Sequence, residues 1–229
     1  MEFADTITTF EGLREVLPQP HPLVADKEVT HLDEHCRSFI ERSPFVLIAS
    51  TDGSGRIDVS PKGDPAGFVR VLDDRTVAIP DRPGNKRADT FVNVLQHPHV
   101  GLIFLIPGTK TTLRVRGRAR IVRDGSLLES MAIGERVPQL ALVIDVAEAL
   151  FHCSKCIIRS KLWNSDLAVA DDETLLARAM KDQTDPPREG AWHFVLRTVT
   201  LGARHRTQRG EVHTAGGGSA FLADEGNPA

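Results

Sequence analysis

Asp58-Val-Ser-Pro-Lys-Gly-Asp64 and Ile79-Pro-Asp-Arg-Pro-Gly-Asn-Lys-Arg-Ala88 decide how this chain is read. Each follows an apolar, strand-like run and carries cations in a turn, Lys62 in the first and Lys86 with Arg87 in the second. Beyond the second, Ala88, Phe91, Val92 and Leu95 recur at i, i+3, i+4 and i+7, with Asn85 as a capping residue and Pro98 as a stop. The spacing predicts a helix from Asn85 to Gln96 that opens at the basic cluster. A helix start leaves backbone N–H groups unpaired and favours an anion. Asn85, the point charge of Lys86 and the fork of Arg87 suit a phosphate dianion, with Lys62 as a further cation.

Working outward, the chain punctuates into strands. Phe45-Val-Leu-Ile-Ala49 is a continuous apolar run, and Asp52-Gly-Ser-Gly55 turns it into Arg56–Ser60. Phe68–Leu72 and Thr76–Ile79 form a second hairpin about Asp73-Asp74. Val100–Ile106, Thr112–Val122 and Ala141–Ala147 bring the total to about seven strands. An amphipathic helix over Thr30–Arg42 precedes them, its apolar positions being Leu32, Cys36, Phe39 and Ile40. Antiparallel strands with one short inserted helix favour a small closed barrel, an open α+β sheet being the alternative. Residues 1–29 read as an N-terminal extension and 30–165 as the barrel domain. Residues 166–229 read as a C-terminal extension, with a helix at Leu175–Met180 and a disordered Gly-rich end around Gly216.

Composition removes several classes of function. The 229 residues carry 28 basic and 31 acidic side chains, a net charge of −3, so no global field draws the chain to nucleic acid or an anionic membrane. The longest apolar run is strand-sized, the opening residues lack a signal core, and the reading is cytoplasmic. Three cysteines make no disulfide framework. No Ser-His-Asp or paired-carboxylate spacing supports hydrolysis.

The order of strand, basic turn, hairpin, Ile79–Ala88, helix, and Gln96-His-Pro-His-Val-Gly-Leu-Ile-Phe104 resembles the FMN-binding split barrel of the pyridoxamine 5′-phosphate oxidase family. The likeness covers roughly residues 30–165. It is nearest to the bacterial branch with a Ser-Pro-Lys/Arg-Gly-Asp-Pro motif, present here at Ser60–Pro65. Asn85-Lys-Arg-Ala88 is similar to the Ser-Arg-Lys-Ala sequence that binds FMN phosphate in the oxidases, with Asn in place of Ser. The resemblance implies a mainly β split barrel with short helices, and a homodimer with FMN at the subunit interface.

It also implies ring-pocket roles for the Asp58, Val59, Ser60 and Pro61 backbone and for Ile79, Pro80 and Asp81. Thr112 and Arg114 would stand at the flavin pyrimidine edge, and Arg159, Ser160 and Trp163 would come from the second subunit. The implied activity is an FMN-dependent oxidoreductase acting on a small molecule, with NADPH or NADH as donor. The alternatives are a non-catalytic flavin-binding module, or the same barrel holding a deazaflavin or haem. No copy is found of the C-terminal arginine- and histidine-containing motif that holds pyridoxal phosphate in the oxidases.

Three further features carry less. Arg114, Arg116, Arg118 and Arg120 alternate with small and apolar residues, which reads as a half-buried strand with a solvated face, and Gly117 marks a bend or close approach. Cys153-Ser-Lys-Cys156 lacks a second ligand pair for zinc and reads as buried small residues opening a helix. His97-Pro-His99 reads as a turn.

Overall fold

A computed structural model describes residues 3–22, 27–164 and 179. The predicted helix at Leu175–Met180, save Ala179, and the Gly-rich end lie outside the described residues. Everything below concerns the first of the chain's two units, Met1–Leu167.

The helices are α1 (Phe10–Val16), α2 (Glu34–Arg42), α3 (Asp89–Gln96), α4 (Gly125–Ser130) and α5 (Lys155–Ser160). The strands are β1 (Phe45–Thr51), β2 (Ile57–Gly63), β3 (Arg70–Val71), β4 (Thr76–Pro80), β5 (His99–Leu105), β6 (Thr112–Val122) and β7 (Ala141–His152). They form one antiparallel sheet in the order β2-β1-β5-β6-β7-β4-β3. No ladder joins the edges β2 and β3, so the sheet is split and the expected closed barrel is corrected to an open one. Two residues of β3 offer too short a ladder to close it. Instead Arg82, just past β4, donates through Nε to Asp64, just past β2, at 2.6 Å, and through Nη2 to the Met131 carbonyl at 3.0 Å.

Inward residues of β1, β5 and β6 alternate strictly and meet Leu32, Phe39 and Ile40 around α2 in the main core. Asp33 caps α2 by accepting from the Cys36 N–H at 2.8 Å, which starts this helix later than the predicted Thr30. Phe39 meets Phe151 edge to face at 5.6 Å. β4 and the start of β7, Ala141 to Ile144, are buried on both faces, because Ala78, Ala141 and Val143 pack outward against Leu128 and Met131 about α4. That two-sided burial explains their near-continuous apolar reading.

The sequence misjudged two elements at the basic turns. Ser60–Gly63 is strand, paired with Phe45–Ile48, not turn. An edge strand tolerates Pro61, since its missing N–H can face away from the ladder. At the second turn the helix begins at Asp89, with Ala88 at its cap in the left-handed region (φ 59°) and Asn85 three residues outside it. The Asn85 side chain instead accepts from the Arg87 N–H at 3.0 Å, an Asx turn that competes with helix formation. At Gly117 the close approach is real: an added Cβ would stand 2.8 Å from Ile144 Cγ2 and 3.0 Å from the Asp145 carbonyl carbon. It lies where Ala147 is an extra residue in β7.

Candidate functional site

β2 divides its predicted residues between two faces. Asp58, Ser60 and Lys62 are half-buried and alternate with exposed Ile57, Val59, Pro61 and Gly63. The first set spans about 13 Å of strand and shares its face with α3, which packs on β1 and β2. Lys62 Nζ donates to Ser60 Oγ at 3.0 Å. Across the split, Ile79 and Pro80 are buried at the end of β4, and the Asp81 N–H bonds the Leu140 carbonyl at 2.8 Å. Burial raises the Asp81 carboxyl above its usual value, opposed first by the positive charge of Lys62. Lys62 and Asp81 are therefore electrostatic neighbours across the split.

The loop Asn85–Ala88 reaches the opposite end of the β2 face. Arg87 Nε pairs with Asp89 at 2.7 Å, which raises the guanidinium pKa, and Asp58 adds to the same effect. Lys86 makes no ion pair among the described residues and sits at φ 62°, so two non-glycine residues in this loop adopt left-handed backbone. Such backbone costs about 1–2 kcal/mol per residue and persists where surroundings over-determine it.

Two polar atoms beside this loop are buried without a partner, Asp58 Oδ2 and Thr90 Oγ1. Thr90 is the second residue of α3 and was missed by sequence reasoning. Its helical phase places it with buried Asn93 and Val94, but a threonine on a buried face looks like core filling. Asn93, also missed, donates through Nδ2 to Ser50 Oγ at 3.0 Å beneath the helix. Asp64 and Arg82 were missed too, though each belongs to one of the two quoted stretches.

Thr112 and Arg114 stand elsewhere. Lys62, Val46, Phe104 and Leu113 form one row across β2, β1, β5 and β6, which sets Thr112 and Arg114 about 14 Å along the sheet from Lys62. Trp163 Nε1 donates to the Thr109 carbonyl at 2.6 Å, seating the segment after α5 against the β5–β6 turn. Cys153 and Cys156 are exposed, not buried as expected, because the short α5 buries only Ile157. Among the described residues no group of three or more His, Cys, Asp or Glu side chains could hold a metal ion. Nor, among them, is any helix long and apolar enough to cross a membrane.

A groove of about 780 Å³ among the described residues contains none of these candidates. It crosses the outer face of the sheet between Ile57 and Ala147, with His97 and His99 at its edge. It adjoins a run of exposed apolar side chains, Ile57 (70% exposed), Val59 (55%), Ile103 and Phe45. The groove has a floor of small residues such as Ala49 and Gly101, and of its charged groups Arg116 is paired with Glu148 and Asp145 with Arg120, whereas the inner face of β2 and the start of α3 carry Lys62 and unpartnered polar atoms.

A flavin phosphate fits this set in charge and polarity. Lys86 is unpaired by acid, Arg87 and Lys62 each keep N–H donors beyond their present partners, and the buried orphan atoms call for a polar ligand. The family model described as pyridoxamine 5′-phosphate oxidase matches residues 32–153. Among solved structures, HupZ of Group A Streptococcus is similar at 21% identity, over 51% of this chain and 90% of that one, with a TM-score of 0.42. An FMN-binding protein of Syntrophomonas wolfei is similar at 15% identity, over 50% and 82%, with a TM-score of 0.40. HutZ, the haem storage protein of Vibrio cholerae, is similar at 17% identity, over 53% and 94%, with a TM-score of 0.38. No curated protein sequence matches the chain.

Proposed function

The chain belongs to the pyridoxamine 5′-phosphate oxidase family, and on that premise we propose that it binds FMN and acts as an FMN-dependent oxidoreductase on a small molecule. The observation that carries this reading is the placement of Lys62 at one end of the inner face of β2 and of the Lys86–Arg87 loop at its other end, beside buried polar atoms that lack partners. Lys86 and Arg87 neutralise the phosphate, and Asn85 keeps the Arg87 N–H in place. The Asp58–Pro61 backbone, Ile79, Pro80 and Asp81 wall the ring pocket, while Thr112 and Arg114, across the sheet and on its other face, would meet a pyrimidine edge only in a site shared between two subunits. When bound, the isoalloxazine ring supplies hydride or electron transfer, so no side chain need be the catalyst.

The working unit we propose is a homodimer. The outer face with Ile57, Val59, Phe45 and Ile103 exposes apolar surface that a second copy would cover, and Arg159, Ser160 and Trp163 would complete the partner's site. NADPH or NADH is the proposed donor. Three free cysteines suit the reducing cytoplasm.

The absorbance spectrum of the purified protein tests this first. We expect flavin bands, or uptake of added FMN at micromolar concentration to one per chain, then bleaching by NADPH or NADH and recovery with oxygen or a quinone. Tight binding without turnover would favour a flavin store, and other bands a deazaflavin or haem. A colourless protein that takes up no FMN overturns the reading.

A further inference from the structure

Cysteine is among the most buried of residue types, and Cys36, in the core cluster with Phe39 and Ile40, conforms. Cys153 and Cys156 do not: both are exposed free thiols, three residues apart, and the flavin reading gives neither a role.

The fold holds them at the two ends of one turn. Cys153 directly follows Thr112↔His152, a ladder pair at the end of β7. Ser154, with φ −74° and ψ −4°, then turns the chain helically, and the Ile158 N–H donates to the Ser154 carbonyl at 3.0 Å. Cys156 lies in the first turn of α5, next to Ile157, whose buried side chain anchors the helix. Helical backbone at the two intervening residues brings the Cα atoms of i and i+3 to about 5 Å and puts both side chains on one face. A disulfide spans Cα separations of about 4.4–6.8 Å. Bridging the pair therefore needs little more than side-chain rotation, and leaves the β7 ladder and Ile157 in place. His152 adjoins the pair in sequence, yet the three form no metal-holding group among the described residues.

We propose that Cys153 and Cys156 are a dithiol–disulfide couple that exchanges with low-molecular-weight disulfides. One cysteine thiolate attacks a sulfur of the small disulfide, whose S–S bond breaks; one small thiolate leaves and a mixed disulfide forms on the chain. The second cysteine thiolate displaces the other small thiolate and closes the Cys153–Cys156 bond. The pair loses two electrons, the small disulfide gains them, and the two cysteine protons end on the two small thiols released. Excess small thiol drives the same steps backwards. The couple is independent of the flavin reading and holds whatever ligand the sheet binds.

The test incubates the reduced full chain with glutathione disulfide at pH 8, quenches it with acid and reads intact mass, alongside Cys153→Ser and Cys156→Ser. We expect the unsubstituted chain to become lighter by two hydrogens, with Cys36 still free to be alkylated after unfolding. Held in one turn, the internal thiol acts at millimolar or higher effective concentration, so at about 0.1 mM free glutathione the internal disulfide should exceed the mixed disulfide by about tenfold or more. Each Ser variant changes an exposed position, so it folds, and should stop at one glutathione adduct.

Two glutathione adducts on the unsubstituted chain, no reaction at all, or chains joined to each other on a non-reducing gel overturn the proposal. So does loss of the Cys36 thiol along with the pair, which marks reaction of unfolded chain.

Discussion

Replacing Gly117 with alanine perturbs the tightest point of the sheet. The new Cβ would stand 3.0 Å from the Asp145 carbonyl carbon and 2.8 Å from Ile144 Cγ2, closer still to the Asp145 oxygen, where ordinary contact begins at 3.4 Å. Two of the three obstructing atoms are backbone of β7, so no rotamer change relieves them. β6 and β7 must part around the Gly117↔Val146 and Arg118↔Asp145 pairs. Overpacking of this kind costs about 1–3 kcal/mol, and one ladder hydrogen bond stretched out of range adds about 1 kcal/mol. We expect a loss of roughly 2–4 kcal/mol, a large share of a typical stability of about 5–15 kcal/mol.

Urea unfolding read by linear extrapolation measures it, with Gly125→Ala as control. Gly125 opens α4 and has nothing within 4 Å of its would-be Cβ, so that variant should match the unsubstituted protein within about 0.5 kcal/mol. If Gly117→Ala also unfolds within that margin, the close approach of β6 and β7 at the bulge is wrong, and with it the register that sets Thr112 and Arg114.

The remaining predictions concern titration and thiols. Burial raises the Asp81 carboxyl above the usual 3.8, so the folded state keeps this proton to higher pH than the unfolded chain, and stability falls as pH rises from 3.8 through the raised value. Asp81→Asn should therefore be more stable than the unsubstituted apoprotein at neutral pH, and the gap should close near pH 3. A gap of constant size across that range would contradict the assignment. The Cys36 thiol is pushed up to about 12, chiefly by burial and then by its contact with Asp33, while Cys153 and Cys156 are exposed. Iodoacetamide at pH 8 should label two thiols in the native protein and the third only on unfolding, read by intact mass; equal labelling rates would place Cys36 at the surface.

Periodicity served best where burial is one-sided and long. β6 alternates from Leu113 to Arg120, and the predicted Thr112–Val122 matches its bounds, because its arginines face outward while Leu113, Val115 and Ala119 face the core. It served worst where a local preference was overruled. Asn85 is a good capping residue by type, yet Ala88 takes the cap in a left-handed conformation that its own chemistry disfavours, and no spacing rule foresees that. Pro61 and Gly63 read as a turn because both break ladders, but at an edge strand only one side needs to pair.

The cationic part of the candidate site was legible because Lys62, Lys86 and Arg87 fall in quotable motifs. Its polar part was not, since Thr90 and Asn93 join Ser50 and Asp58 only once α3 lies across β1 and β2.

The central claim is that Lys86 and Arg87 anchor the phosphate of a flavin nucleotide. It is tested most directly by titrating FMN and riboflavin against the unsubstituted chain and the Lys86→Ala, Arg87→Ala double variant. Charge-assisted contacts contribute about 1.5–3 kcal/mol each in sheltered sites, and the exposure of Arg87 with its Asp89 partner puts this pair at the lower end. The account predicts that FMN weakens about 10- to 100-fold more than riboflavin. Equal weakening of the two ligands, or FMN bound as tightly by the variant as before, contradicts it.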